Sequence, residues 1–382
     1  MEPVKPSKAL LTIAVGVVVF LIVGILVWPE TALSVWQSLR PRTQTAAQTK
    51  PTRPAVVHPA PAAEPIAMNT LSVALPIPPK PASARILFVG DIMLDRNVAA
   101  RSKADGSLAY PFARLPEHWF DSFDYSVANL EGPVTDKRRP PVKTIDFQFD
   151  PSVIPVLQTE GIKAFSQGNN HALDQGSIGF DDSRQRLQDA GFLVFGHQVD
   201  DGSIAVATTT VNGIRFAFLG FNITDNALDR TAAADDLAQA RASSDRVIVF
   251  MHWGTEYHDR PDASVVELSH WLIDNGADVV IGGHPHWYQG ISVYKNKPII
   301  WSLGNFIFDQ DFSEQTRQGL TVALTFDQQQ IVLEPMPVQI DMSQPQVVDG
   351  QEKTKRLEAL AKLSDHNLET QILNGVVVFS SP

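Results

Sequence analysis

Residues 249–257 read V-F-M-H-W-G-T-E-Y, and residues 279–289 read V-V-I-G-G-H-P-H-W-Y-Q. Each opens as a β-branched, apolar run and closes on histidine. That is the pattern of a buried strand presenting imidazoles at its C-terminal tip. His252, His284 and His286 are three of only ten histidines in 382 residues. The proline between the last two fixes φ and predicts an extended backbone holding both rings at one point. A lone histidine at a strand end is usually structural. Three at the tips of two strand-like runs favour a metal or acid–base site.

Outward from these stretches, other apolar runs also end on polar groups. Residues 85–89 stop at Gly90-Asp91, and residues 125–129 lead into Leu130-Glu131-Gly132. Residues 162–166 run into Gln167-Gly168-Asn169-Asn170-His171, and residues 297–303 end in Gly304-Asn305. Helical spacing appears over 152–160, 177–190, 263–275 and 352–370. Asn212-Gly213, between runs 204–211 and 214–219, predicts a hairpin. Runs 321–326 and 331–338 predict another, around residues 327–330. Strands and helices mostly alternate, with hairpins added, so the fold class expected is α/β, a layered domain with mixed sheets over residues 83–382.

In such sheets the carboxyl ends of strands converge on one crevice. There Asp91, Asn129, Glu131, Asn170, His171, His252, His284, His286 and Asn305 would meet. Carboxylate, amide and imidazole form a mixed O/N ligand set suited to Mn, Zn or Fe and less to Ca. Singly, each has a plainer reading: Asp91 as a helix cap, Glu131 as a turn carboxylate, Asn170 as a turn residue, His171 as a satisfied loop histidine. Their order and company argue for the site. Arg96 would offer a cation to a carboxylate or phosphate, against the plainer reading of an exposed helix-face arginine. Glu256 would orient a ring, against that of a surface carboxylate.

The net charge of −11 divides unevenly: residues 1–84 carry +4 and residues 85–382 carry −15. So acidic a body repels polyanions, which excludes nucleic acid as a partner, and an anionic substrate would need a metal or a local basic patch. The absence of cysteine excludes disulfides, zinc-thiolate sites, a thiol nucleophile and a lipidated N-terminal cysteine. Residues 9–28 hold no charge and as a helix would span about 30 Å, the thickness of a bilayer core. The run is long for a signal peptide and no A-x-A site directly follows it, so an uncleaved transmembrane helix is expected. Residues 1–8 would be a short cytoplasmic N-terminus. Residues 29–82 would be a Pro-rich linker, with ten prolines between 41 and 81. The protein is expected to be single-pass in the cell membrane, its body on the extracytoplasmic side.

Gly90-Asp91-Ile92-Met93-Leu94, Asn129-Leu130-Glu131, Asn169-Asn170-His171-Ala172-Leu173-Asp174, His252-Trp253-Gly254-x-Glu256, Gly283-His284-Pro285-His286 and Ser302-Leu303-Gly304-Asn305-Phe306 stand in one order. Together they resemble the CapA family of bacterial capsule proteins associated with poly-γ-glutamate synthesis. The resemblance covers residues 86 to 309. That family in turn resembles the calcineurin-like metallophosphoesterases, which implies a four-layer α/β/β/α sandwich and a dinuclear site. By the same resemblance Asp91, Glu131, Asn170, His252, His284 and His286 are metal ligands, and His171 is the proton donor. Arg96, Asn129, Glu256 and Asn305 would bind substrate or support the ligands. The superfamily's first motif is Asp-x-His, whereas this chain has Met93 at the His position. A thioether is a poor ligand for such ions, so one tight metal site and one weak or empty site are expected. Two functions follow. One is a membrane-anchored, metal-dependent hydrolase of phosphoesterase type in capsule biosynthesis. The other is a non-catalytic component that binds metal and polymer. The partners implied are the membrane, capsule-synthase membrane subunits and an anionic polymer.

Overall fold

The computed structural model describes residues 82–196 and 206–380, all within the unit Pro76–Pro382. The apolar run 9–28 and most of the linker lie outside them. Among the described residues no helix is long and apolar enough to cross a membrane.

The strands begin with β1 (Ala84–Ile92), β2 (Tyr125–Leu130), β3 (Ala164–Ser166), β4 (Leu193–Phe195) and β5 (Ala207–Val211). Next come β6 (Ile214–Asn222), β7 (Arg246–His252), β8 (Val279–Gly283), β9 (Ile291–Tyr294) and β10 (Lys297–Ile300). The last are β11 (Asn305–Ile307), β12 (Gln318–Phe326), β13 (Gln330–Asp341), β14 (Gln344–Val347) and β15 (Val377–Ser380). The longer helices are α1 (Arg96–Asp105), α2 (Ile154–Glu160), α3 (Gly176–Asp189), α4 (Arg230–Ser243) and α5 (Ala263–Asp274). Two more, α6 (Gly350–Leu363) and α7 (Glu369–Leu373), precede β15.

Two mixed sheets result. The nine-stranded one has the order β14-β13-β12-β1-β2-β3-β4, with β11 beside the end of β1 and β15 beside β13. The six-stranded one runs β5-β6-β7-β8-β10-β9. Side-chain alternation explains the layers. Ile86 and Phe88 of β1 enter a core shared with Phe216, Phe218, Ile248 and Phe250 of the other sheet. Leu87 and Val89 face the opposite way, onto Val98, Leu157 and Leu187 of the helices. In the second sheet Leu219, Val247 and Val249 meet Leu237, Leu268 and Leu272. Both faces of β1 and β7 are therefore covered, and their sequences run continuously apolar. The molecule is an α/β sandwich with helices outside and the two sheets packed inside.

Asn212 and Gly213 both take positive φ, 49° and 85°, as the twist-matched two-residue hairpin requires. The helix expected over 352–370 breaks after Leu363 instead. The Ser364 hydroxyl accepts the Ile291 N–H at 2.8 Å, and Asp365 accepts Val293 N–H at 2.9 Å, so both leave the helix to hold β9. Tertiary hydrogen bonds override local helical preference there. Leu357, Leu360 and Ile372 from α6 and α7 then fill the core between the sheets.

Candidate metal centre

The crevice is made where the tips of β1, β2, β7 and β8 meet. Close approach comes first. A Cβ on Gly90 would stand 1.9 Å from the Gly304 carbonyl oxygen, so only glycine lets the Asp91 N–H reach that oxygen at 3.0 Å.

Asp91, fully buried, then accepts from Asn129 Nδ2 at 2.8 Å and from the His284 backbone N–H at 3.3 Å. Burial pushes its carboxyl up to about 6 against these bonds. Glu131 follows directly on β2, also fully buried, and no donor reaches either carboxylate oxygen. Burial first, then the neighbouring Asp91 charge, raise it well above the ordinary carboxylate range. The Glu131 Oε1 atom is 3.9 Å from His286 Nε2 and 4.0 Å from His171 Nε2.

The imidazoles are held neutral. Burial lowers His252 far below its ordinary value, His284 to about 4 and His286 to about 3, with repulsion from neighbouring rings adding to the effect. Asn305 sets one tautomer. Its amide nitrogen donates to the Thr316 carbonyl at 3.0 Å, so its oxygen faces His286 Nδ1 at 2.9 Å. That nitrogen carries the proton, leaving a lone pair on Nε2 toward Glu131. Asn170 Oδ1 lies 2.9 Å from His252 Nε2, while Nδ1 of His252 and of His284 are buried without a partner.

Asp91, Glu131 and His252 offer ligand atoms that all lie within 4.8 Å of one another. Unpartnered buried carboxylate oxygens and ring nitrogens around one point are costly unless a cation completes them. The donor set fits a divalent transition ion. The expected ligands Asp91, Glu131, Asn170, His252, His284 and His286 are thus brought together at one crevice. Met93 is not among them: its sulfur accepts the Asp95 N–H at 3.1 Å and its side chain joins the helix-side core.

Several expectations change in detail. The His-Pro-His segment is not extended: His284 and His286 have φ of 94° and 59°. The bonds that impose the turn are His284 N–H to Asp91 and Tyr257 N–H to the Pro285 carbonyl at 2.9 Å. Asp95, not Asp91, caps α1. Arg96 reaches the crevice side, stacked 5.2 Å over Phe147, but its guanidinium is committed to Asp309. Glu256 is exposed and acts on Glu131 only through its charge, beside the Tyr257 hydroxyl; His258 Nδ1 bonds its backbone oxygen. Trp253 and Trp301 are core residues.

Four partners were not singled out. Asp174 Oδ2 lies 2.7 Å from His171 Nδ1, and Lys143 Nζ sits 2.6 Å from the other Asp174 oxygen. Asn169 Nδ2 ties Asn129 Oδ1 to the Leu130 carbonyl, both at 2.9 Å. The Tyr257 ring stacks on His286, 6.0 Å between centroids. A histidine three residues before an aspartate was the one available signal, in H-A-L-D.

Ion affinity should fall as pH drops. Below about 6 Asp91 takes a proton that an ion must displace, and Glu131, raised well above the ordinary carboxylate range by burial, adds to that competition. His284 and His286, neutral down to about 4 and 3, compete little. Calorimetry at pH 5 in buffers of differing ionisation heat should count about two protons released per ion, from the two carboxyls. Release of three or more, as solvent-like imidazoles would give, would contradict this geometry.

The family described as "Bacterial capsule synthesis protein PGA_cap" matches residues 85–310. "PGA biosynthesis protein CapA" of Bacillus subtilis (strain 168) is 32% identical over 254 residues, which cover 62% of this chain and 66% of that protein. "Capsule biosynthesis protein CapA" of Bacillus anthracis is 28% identical over 285 residues, covering 68% of each. The chain thus spans about two thirds of the length of these curated relatives. A hypothetical protein from Thermus thermophilus, of known crystal structure, aligns with a TM-score of 0.40 at 16% identity, over 78% of this chain and 100% of that one. The family match spans every residue of the crevice from Asp91 to Asn305, and on it the chain belongs to the bacterial capsule synthesis protein PGA_cap family.

Proposed function

We propose that the chain is a membrane-anchored capsule-biosynthesis protein of the poly-γ-glutamate type, whose crevice is a metal-dependent hydrolase site of phosphoesterase type. In this reading the anchor is residues 9–28, the spacer residues 29–82, and the body, a four-layer metallophosphoesterase-like sandwich, is extracytoplasmic. Family membership and the names of the Bacillus relatives support the capsule role. The observation that carries the site is Glu131, fully buried, without a donor, and 3.9 Å from the neutral ring of His286.

Asp91, Glu131, Asn170, His252, His284 and His286 would hold a divalent ion, Mn, Zn or Fe. When bound, it supplies Lewis acidity and activates water. The chain's own groups do the rest. Asn129 and the His284 N–H orient Asp91, and Asn305 keeps the His286 proton on Nδ1. Asp174 orients His171 through Nδ1, so that a proton carried on Nε2 would stand on the Glu131 side. That proton is the one His171 delivers to a leaving group.

Full-length protein is expected to retain one tightly held ion, because the Met93 thioether leaves a second position with only Asp91, Glu131 and His286. Elemental analysis should find it, and chelation should abolish hydrolysis in a screen of phosphodiesters and γ-glutamyl polymers. Two equally tight ions, or hydrolysis indifferent to chelator, would overturn the reading. The same Met93 departure favours a second reading, a metal- and polymer-binding assembly component working with capsule-synthase membrane subunits without turnover.

A further inference from the structure

The body carries −15, yet a basic run, Lys137-Arg138-Arg139-Pro140-Pro141-Val142-Lys143, lies beside the crevice. It belongs to a strap, residues 136–147, whose ends are pinned by Thr135 N–H to the Phe149 carbonyl and Phe149 N–H to the Pro133 carbonyl, 3.0 and 2.9 Å. The strap lies across the segment that carries Asn170 and His171. Lys143 donates to the Asn170 carbonyl at 2.7 Å and holds Asp174. Phe147 donates its N–H to Asp174 at 2.6 Å and lays its ring 4.1 Å from that of His171. Arg139 clamps the Asp174 and Leu173 carbonyls at 2.9 and 2.8 Å.

Its two arginines belong to the minority in this protein that sit on no carboxylate, as do Arg246 and Arg260, which hold backbone carbonyls. Arg85, Arg101, Arg215, Arg230 and Arg241 each sit on a carboxylate. Arg139 instead holds only neutral oxygens, and exposed Arg138 holds only the Gln148 amide oxygen at 2.8 Å. Among the described residues, neither has a carboxylate within ion-pair distance. Their charge is left for something outside the fold. Pro140, Pro141 and Val142 stand between Arg139 and Lys143, and Ile145 follows, with Val142 70% and Ile145 49% exposed. Cations spaced by apolar surface suit a chain bearing carboxylates on aliphatic carbons; a lone phosphate would call for converging donors.

We propose that strap 136–147 is the specificity element of the crevice, seating an acidic, aliphatic-backboned chain beside His171 through Arg138 and Arg139, with Lys143 and Phe147 fixing the strap to that histidine. This rests on the reading of the crevice as a polymer-handling site, but not on its turnover.

Binding of a short γ-linked glutamate oligomer to the full-length protein, measured across a salt series, tests it. Arg138→Glu is expected to weaken binding about fivefold to tenfold and flatten the salt dependence. Lys355→Glu, the same charge change on exposed α6, should stay within about twofold. Arg138→Gln should fall between. Equal responses of the Arg138 and Lys355 variants would overturn the strap, whether or not the protein hydrolyses anything. Inorganic phosphate is the second probe: phosphate affinity lost in Arg138→Glu with oligomer affinity intact would overturn the acidic-chain assignment. A catalytically silent protein whose oligomer affinity responds to Arg138 supports the strap and removes only the hydrolase.

Discussion

Glu131→Gln is expected to abolish tight ion binding and, in the same molecule, to stabilise the ion-free fold. The two effects share one cause. The carboxylate is fully buried and lacks any donor, so burial and the Asp91 charge raise its pKa well above the ordinary range. Holding it ionised at neutral pH therefore costs folding free energy, which a bound cation offsets. The sign follows from proton counting. A carboxyl raised in the folded state binds more protons there than when unfolded, so stability falls as pH rises from the unfolded value through the folded one. With chelator present, the Gln variant should melt higher than wild type at pH 8, by a gain on the order of 2 kcal/mol, and the gain should vanish near pH 4. Its ion content should drop to background. A variant that melts lower at pH 8 and still holds its ion would show that Glu131 serves packing alone.

His171→Gln separates chemistry from scaffolding. His171 stands beside the ligand set, not within it, with Nδ1 tied to Asp174 and Nε2 4.0 Å from Glu131. Glutamine fills similar space but cannot relay a proton at neutral pH. If His171 is the proton donor, turnover should fall roughly 10²- to 10⁴-fold, the usual worth of a positioned acid, with ion content unchanged. Polymer output in cells should fall alongside. Unchanged output with the ion retained would favour the assembly component.

The centre was legible because its residues follow buried strands, and a run covered on both faces is apolar without interruption until it stops. That is why Asp91, His252, His284 and His286 could be placed from the sequence. Helix α4 was missed for the converse reason, and α1 entered only through the plainer readings of Asp91 as a cap and Arg96 as a helix-face residue. Only Val98 and Ser102 of α1, and Ala233, Leu237 and Ala240 of α4, are buried, too few to print an apolar stripe. Their cap residues were nonetheless there to read: Asp95 accepts the Arg96 N–H, and Asp229 those of Thr231 and Ala232. The turn at His-Pro-His escaped because its conformation is set by Asp91 and Tyr257, both distant in sequence. Lys143 and Asp174 were hidden similarly. Their pairing joins distant stretches of chain and leaves no periodic trace.

The alignment ends at residue 310, but hydrogen bonding does not. Strand β1 has β12 as its antiparallel neighbour from Ala84↔Phe326 to Phe88↔Val322, and β12 is in turn covered by β13. A fragment cut at the family limit would keep every ligand residue yet strip one flank of the strand that ends in Asp91. The bared edge would offer unpaired amides and carbonyls to another copy, inviting aggregation. A fragment meant for expression should therefore run through Phe379, whose side chain is packed between the sheets.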